Sequence, residues 1–471
     1  MKNLIDSKLN FLFYDYETFG LHPALDKPAQ FASIRTDFNL NIIEPKQHFY
    51  CYPPNDYLPD PESVLLTGIT PQYTKENGLN EFFFSKKIFG ILNVSNTCII
   101  GYNNIQFDDE ITRNIFYRNF LDPYSWSWKN NNSRWDVMCL VRACYILTPN
   151  NIIWPKNKLG FVSFKLEDLT KVNNIYHDPH DALSDVYATI DIMRFIKDKK
   201  PELFNFFFKY RLKNNIKKLI NIQDHTPLIY ISHSFGSVRK NITCIAPIYW
   251  GQCHTLIFFD LYMDIDILIH YLNVTHINKI SMKKLYSLGI SFLNINKCPI
   301  LIPLDIFTKT RLLTLSINFS VYLKKIHILH KKYQSFQKLE IFLKNYTYQH
   351  MTDNVDLTLY DAFFSQKEKN TMYKIHSIKI NYWNKIQLDF SHKLQTMFFR
   401  LRARNFPNLL NVVEMKKWKI HCLKIFSKNF LNNYFLKLKY IFNQYAKNHR
   451  AYKLLLELER YTCILLKKFY F

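Results

Sequence analysis

Asp15 and Glu17, one residue apart in Phe11–Glu17 (FLFYDYE), are the first residues whose types and spacing could do chemistry. Residues i and i+2 of a strand project from the same face, so both carboxylates would share a side with Phe11 and Phe13. Asp is depleted in strands, and two buried anions without a local base are costly. A bound cation removes the difficulty; a solvated edge strand is the alternative. A third acid, Asp108 or Asp109, ends the stretch GYNNIQFDD that starts at Gly101. It either joins the first two or merely caps a helix. A fourth piece is His180-Asp181-Ala182-Leu183-Ser184-Asp185, with His180 just before a helix and Asp185 in its first turns. That spacing lets an imidazole and a carboxylate face a site above the helix start, although Asp181 alone would serve as an N-cap.

The elements that must position these groups alternate through the first two hundred residues. Phe11–Glu17, Gln30–Arg35 and Ile42–Tyr50 read as three consecutive strands, and Thr97–Tyr102 (TCIIGY) as a short buried one. A helical pattern follows from about Asp109 to Phe120, and a long helix starts near Asp181 with apolar Leu183, Val186, Tyr187, Ile190 and Met193. Strands alternating with helices imply a mixed sheet flanked by helices, and its strand ends are where open α/β folds bind ligands. After Lys197-Asp198-Lys199-Lys200-Pro201 the character changes. PLIYIS, TCIAPIYW and HTLIFFD, between Pro227 and Asp260, suggest a small antiparallel barrel. From about Asp353 helical patterns prevail. The expected domains are therefore residues 1–200, 201–352 and 353–471.

A net charge of +24 permits a polyanionic partner, but it is equally what AT-rich coding would give, since Lys, Asn, Ile, Phe and Tyr abound while Gly is scarce. Nine cysteines include no C-x-x-C pair; Cys139 with Cys144 and Cys244 with Cys253 come nearest, and neither has zinc spacing. An odd count without a secretion signal in MKNLIDSKLN fits reduced thiols, and no apolar run reaches the ~18 residues of a membrane span. A soluble cytoplasmic protein that makes no membrane contact is expected.

In chain order the pieces read D-x-E, Asp, H-x-x-x-x-D over about 170 residues, which resembles the DEDDh exonuclease superfamily. Four carboxylates of that kind offset two divalent cations, and two such ions roughly 3.5–4 Å apart activate a water and stabilise a leaving oxygen. Oxygen ligands favour Mg²⁺, with Mn²⁺ as a substitute, over zinc. His180 would be the general base, since its ordinary pKa lies near neutrality.

The likeness extends to the bacterial exodeoxyribonuclease I family. It is carried by FLFYDYETFGLHPALDKPAQFASIRTD from Phe11, DYLPDPESVLLTGITPQ from Asp56, GYNNIQFDDEITRNIFYRNFLDPYSW from Gly101 and HDALSDVYATI from His180. Outside the nuclease core, DNVDLTLYDAFFS from Asp353 and RARNFPNLL from Arg402 resemble the family too. The resemblance implies an α/β fold with a ribonuclease-H-like exonuclease domain, an SH3-like β-barrel domain and an all-helical C-terminal domain. It implies removal of 5′-mononucleotides from the 3′ end of single-stranded DNA, in DNA repair and recombination, by a monomer. Asp15, Glu17, Asp108 and Asp185 are implied as metal ligands, His180 as base, and Glu17 with Lys165 as substrate contacts. Lys165, in SFKLEDL, stands where the family has an Arg, so the charge is kept and the bidentate fork is lost. The acidic C-terminal tail of the single-stranded-DNA-binding protein is the implied protein partner. A DEDDh exoribonuclease is the nearest rival, but such chains are usually little more than the first domain. A non-catalytic DNA-binding scaffold would be expected to lose one of the five polar residues, and a phosphatase would leave the later domains without a role.

Overall fold

The run around Asp15 and Glu17 is a strand, β1 (Asn10–Thr18), and it is the organising element of the first of two compact units. The computed structural model describes residues 9–150, 152–346, 352–385 and 391–470. Residues 1–8, expected to hold no signal peptide, and 347–351, beside the boundary expected near 352, lie outside the described residues. The first unit comprises Met1–Ser133, His177–Ile190 and His350–Phe471; the second comprises Arg134–Tyr176 and Asp191–Gln349.

In the first unit β1 pairs antiparallel with β2 (Pro28–Thr36), which pairs antiparallel with β3 (Gln47–Cys51). On the other side β1 pairs in parallel with β5 (Thr97–Gly101), and β3 with the short β4 (Gly78–Leu79). The sheet is mixed, as expected, with the order β4-β3-β2-β1-β5 in this unit. The expected third strand is shorter than its apolar pattern suggested: residues 42–46 include Pro45, which has no N–H for a ladder, and this strand starts at Gln47.

Both faces of β1 are buried. Leu12, Tyr14 and Tyr16 pack with Phe31, Phe84, Ile88, Ile111 and Ile115 on one face, beneath helices α2 (Glu81–Leu92) and α3 (Asp108–Arg118). Each buried large apolar side chain of this kind contributes about 1.5–3 kcal/mol. Phe11, Phe13, Asp15 and Glu17 take the opposite face by alternation. Gly101 closes β5 where chains approach closely: a Cβ there would lie 2.7 Å from the Asn104 side chain and 3.1 Å from the Tyr14 carbonyl.

Helix α4 (Ala182–Lys199) returns the chain to this unit, and the carboxy-terminal helices α5 (His392–Asn405), α6 (Val412–Ile425), α7 (Lys428–Phe442) and α8 (Arg450–Tyr470) complete it. They are fixed to the nuclease core by shared apolar clusters. Phe82 and Tyr117 pack with Trp383 and Leu401, and Phe19 and Val64 pack with Leu438, Leu455 and Leu458. The short α1 (Pro61–Thr67) is capped by Asp60, whose carboxylate accepts from the Glu62 N–H at 2.9 Å.

The second unit carries a five-stranded antiparallel sheet of order β9-β8-β7-β6-β10. Its strands are β6 (Leu228–Ile231), β7 (Ile242–Trp250), β8 (Thr255–Asp260), β9 (Ile290–Asn294) and β10 (Ile300–Pro303). Leu228, Ile245, Leu256, Phe258, Leu293 and Leu301 form its core. The first three strands follow the expected runs, and the last two, ISFLN and ILIP, complete the sheet from a stretch for which no strands were expected.

Candidate active site

The strand, a helix start and a returning helix bring the predicted acids together. Ligand atoms of Asp15, Glu17 and Asp185 all lie within 4.8 Å of one another. Asp15 and Glu17 share the face of β1 that alternation dictates. Asp185 stands in the first turn of α4, which Asp181 starts by accepting the Ser184 N–H at 2.9 Å. The N-cap role foreseen for Asp181 is therefore filled, and it leaves Asp185 for the site.

Neither Asp108 nor Asp109 caps α3 from the N-cap position, which Phe107 occupies without a side-chain bond. Both acids are buried in the first turn, and they divide the work. Asp109 accepts from the Tyr14 hydroxyl at 2.5 Å and from Asn104 Nδ2 at 3.1 Å, on the core side of β1. Asp108 accepts the Tyr16 N–H at 3.2 Å and is the strongest charged neighbour of Asp15. It stands beside the three-acid cluster rather than within it.

His180 adopts φ 71° immediately before Asp181 and is half-buried. A second imidazole, that of His177, bonds Asp185 Oδ1 through its Nε2, and its side chain is 4% exposed. His177 was not anticipated from sequence; its one signal was a second histidine three residues before His180. Gln30 was missed as well. Its side chain, 1% exposed, gives Nε2 to Asp181 Oδ2 at 3.2 Å and accepts the Ala182 N–H on Oε1 at 3.2 Å, while Nε2 meets His48 Nε2 at 2.6 Å. It thereby pins the start of α4 to β2. Lys165 belongs to the second unit, where its exposed ammonium pairs with Glu167 at 3.1 Å.

Electrostatics set this cluster apart. Burial, then Asp108, Asp185 and Glu17, hold the Asp15 carboxyl well above the carboxylate range. Burial, then Asp185 and Asp108, push Glu17 up to about 8. No basic group is among the causes of either shift. An all-oxygen set that repels itself in this way fits divalent cations.

Three family models cover almost the whole chain: an Exonuclease model over residues 12–193, the Exonuclease I SH3-like domain over 211–345 and the Exonuclease I C-terminal domain over 353–465. An exodeoxyribonuclease I of Buchnera aphidicola subsp. Schizaphis graminum is 50% identical over 476 residues, spanning 100% of this chain and 99% of the relative. The chain belongs to the exodeoxyribonuclease I family. Two solved structures of the family superpose closely. The zinc-bound form of an E. coli exonuclease I–single-stranded DNA complex matches with a TM-score of 0.89 and 39% identity, over 98% of this chain and 100% of that one. An SSB/exonuclease I structure with an inhibitor matches with a TM-score of 0.91 and 40% identity, over 97% and 99%. The family's fold is the one expected from sequence: a ribonuclease-H-like exonuclease domain, an SH3-like domain and a helical carboxy-terminal domain. Exonucleases of this family use divalent metal ions, and the three clustered carboxylates fit that need.

Proposed function

We propose that the protein is a Mg²⁺-dependent exodeoxyribonuclease that shortens single-stranded DNA from its 3′ end and releases 5′-mononucleotides. The observation that carries this is the cluster of Asp15, Glu17 and Asp185, three acids whose ligand atoms lie within 4.8 Å of one another. Asp15, Glu17, Asp108 and Asp185 hold the ions. When bound, two divalent cations supply an activated water and charge stabilisation at the phosphoryl group. His180 accepts the proton of the attacking water, and the bond from phosphorus to the 3′-oxygen of the preceding nucleotide breaks. His177 keeps Asp185 oriented, as outer partners of ligating carboxylates do. Lys165 contributes a point charge to substrate binding without a planar fork.

Single-stranded DNA as substrate, and the tail of the single-stranded-DNA-binding protein as partner, are carried over from the family's complexes, and the net charge of +24 supports an acidic partner. Domain boundaries near residues 200 and 352, supported by the spans of the three family models, complete the reading, together with a monomeric cytoplasmic enzyme. Among the described residues no helix is long and apolar enough to cross a membrane.

The test is incubation with 5′-labelled single-stranded DNA, duplex DNA and RNA, with Mg²⁺ or with EDTA. The expected outcome is stepwise shortening of single-stranded DNA in Mg²⁺ alone. Turnover in EDTA, or preference for RNA, overturns the proposal.

A further inference from the structure

Sharing no lining residue with the acid cluster, an open cavity of about 760 Å³ in the first unit has the size of a pocket for a small organic ligand. The loop between β1 and β2, the segment leading into α1, and helices α5, α6 and α7 line it. Its walls are in part aromatic, with Tyr57, Phe430 and Tyr434 among them. Every carboxylate that lines it is already engaged. Arg404 holds Asp56 at 2.9 Å and Asp356 at 2.7 Å, and Arg400 adds a bond to Asp356 at 2.9 Å. Lys437 holds Asp60 at 2.6 Å and Glu62 at 2.9 Å, and Asp26 accepts from the Tyr57 hydroxyl at 2.8 Å.

Lys27 is different. It lines the cavity, is only 4% exposed, and its ammonium makes no hydrogen bond or ion pair among the described residues. Its ammonium stands 5.8 Å from the centroid of the Tyr57 ring, and its charge is felt by Asp56, Glu81 and Asp356 without a direct bond to any of them. Burial, then Arg118 and Arg404, push its pKa down to about 8, so it is still mostly charged at neutral pH. On the wall of the cleft, its three N–H donors are open to an acceptor from outside the chain. A second lining ammonium, the exposed Lys424, has no partner among the described residues either.

We propose that this cavity is a second ligand site, taking a nucleoside 5′-monophosphate with its phosphate on Lys27 and its base against the aromatic wall. Phosphate oxygens supply the acceptors that Lys27 lacks, and a planar base suits rings of this kind. The choice of nucleotide rests on the function proposed above, whose product it is; the demand for an anion at Lys27 does not.

The test uses the full-length protein in EDTA, where the acid cluster repels phosphate and no turnover occurs. Titration calorimetry with dAMP, deoxyadenosine and inorganic phosphate should show one site for dAMP and far weaker binding of the other two. Lys27→Met should weaken dAMP by about 10- to 100-fold, as for a lost hydrogen bond to a charged group. Asp185→Asn should leave dAMP binding unchanged, which separates the two sites. In the unmodified protein, dAMP should protect Lys27 from acetylation by acetic anhydride, read by mass spectrometry. This arm needs no variant to fold. No dAMP binding in EDTA, or no protection of Lys27, overturns the proposal. Equal affinity for inorganic phosphate overturns the nucleoside part. Binding of dAMP by a protein that fails the nuclease assay would sink the function above and leave this site standing.

Discussion

Two groups of buried acids in the same unit answer the same problem in opposite ways. At one, Asp15, Glu17 and Asp185 crowd together with Asp108 beside them and only the His177 imidazole against Asp185, and the carboxyls of Asp15 and Glu17 are pushed up. At the other, Asp56 and Asp356 are at least as well buried, yet both are held well below the carboxylate range. Burial alone would raise them; Arg404, 2.9 Å from Asp56 and 2.7 Å from Asp356, outweighs it. The second group is a finished joint between the nuclease core and α5. The first is a charge deficit that only something from outside the chain can fill. What separates a functional acid cluster from a structural one is the origin of its countercharge.

The largest effect expected from this contrast is on catalysis. Asp15→Asn or Asp185→Asn should abolish hydrolysis while leaving the metal-free melting temperature unchanged or higher, because mutual repulsion falls. Near-normal turnover on a gel would break the assignment. His180→Ala should slow turnover by roughly 10²–10⁴-fold, the usual worth of a general base, with milder loss of DNA affinity. A pH–rate profile identical in variant and parent would exclude His180.

The joint should respond in stability instead. Arg404→Leu leaves two buried carboxylates without their main partner and should cost about 3–5 kcal/mol in urea unfolding, as for other broken buried pairs. A loss under about 1 kcal/mol would mean that Arg400 and His421, whose Nε2 lies 3.5 Å from Asp56, suffice. His177→Ala, which removes the partner of Asp185, should weaken divalent-ion affinity by about 10–100-fold and leave the fold intact. Unchanged affinity in a metal titration would remove His177 from the site.

The smallest effect is on pH dependence, and the two groups pull in opposite directions. Glu17 ordinarily titrates near 4.5 and in the metal-free fold near 8, so the folded state binds the extra proton and stability falls as pH rises between those values. Asp56 and Asp356 have lowered values, so their contribution is present above the ordinary carboxylate range and is lost as pH falls below it toward those lowered values. Melting temperature in EDTA should therefore decline from mildly acidic to neutral pH, and saturating Mg²⁺ should flatten the decline. Equal slopes with and without Mg²⁺ would contradict the charge-deficit picture.

Much of the site was legible because it obeys short-range rules. Alternation along β1 puts Asp15 and Glu17 on one face, and the helix start fixes Asp181 as cap with Asp185 in the next turn. Choosing between Asp108 and Asp109 was not a local matter. Neighbours on a helix point about 100° apart, and which one meets Tyr14 depends on how α3 lies against β1. Gln30 and His177 were invisible for a related reason. Gln30 bonds a residue 151 positions away, and His177 sits in an irregular loop with no period to read. In the second unit, β9 and β10 are recruited by pairing with strands that did carry the pattern.

The route of the chain has a consequence for timing. Asp15, Glu17 and Asp108 lie before Ser133, where the backbone leaves the first unit, and Asp185 arrives only with His177–Ile190, after Arg134–Tyr176 has gone to the other. A ribosome adding roughly 5–20 residues per second delivers the amino-terminal part first. The emerging chain therefore exposes three of its acids well before the last one is made. A DNA-degrading active site assembled in that order stays silent through much of its own synthesis, and any product cut short before residue 185 is a harmless one.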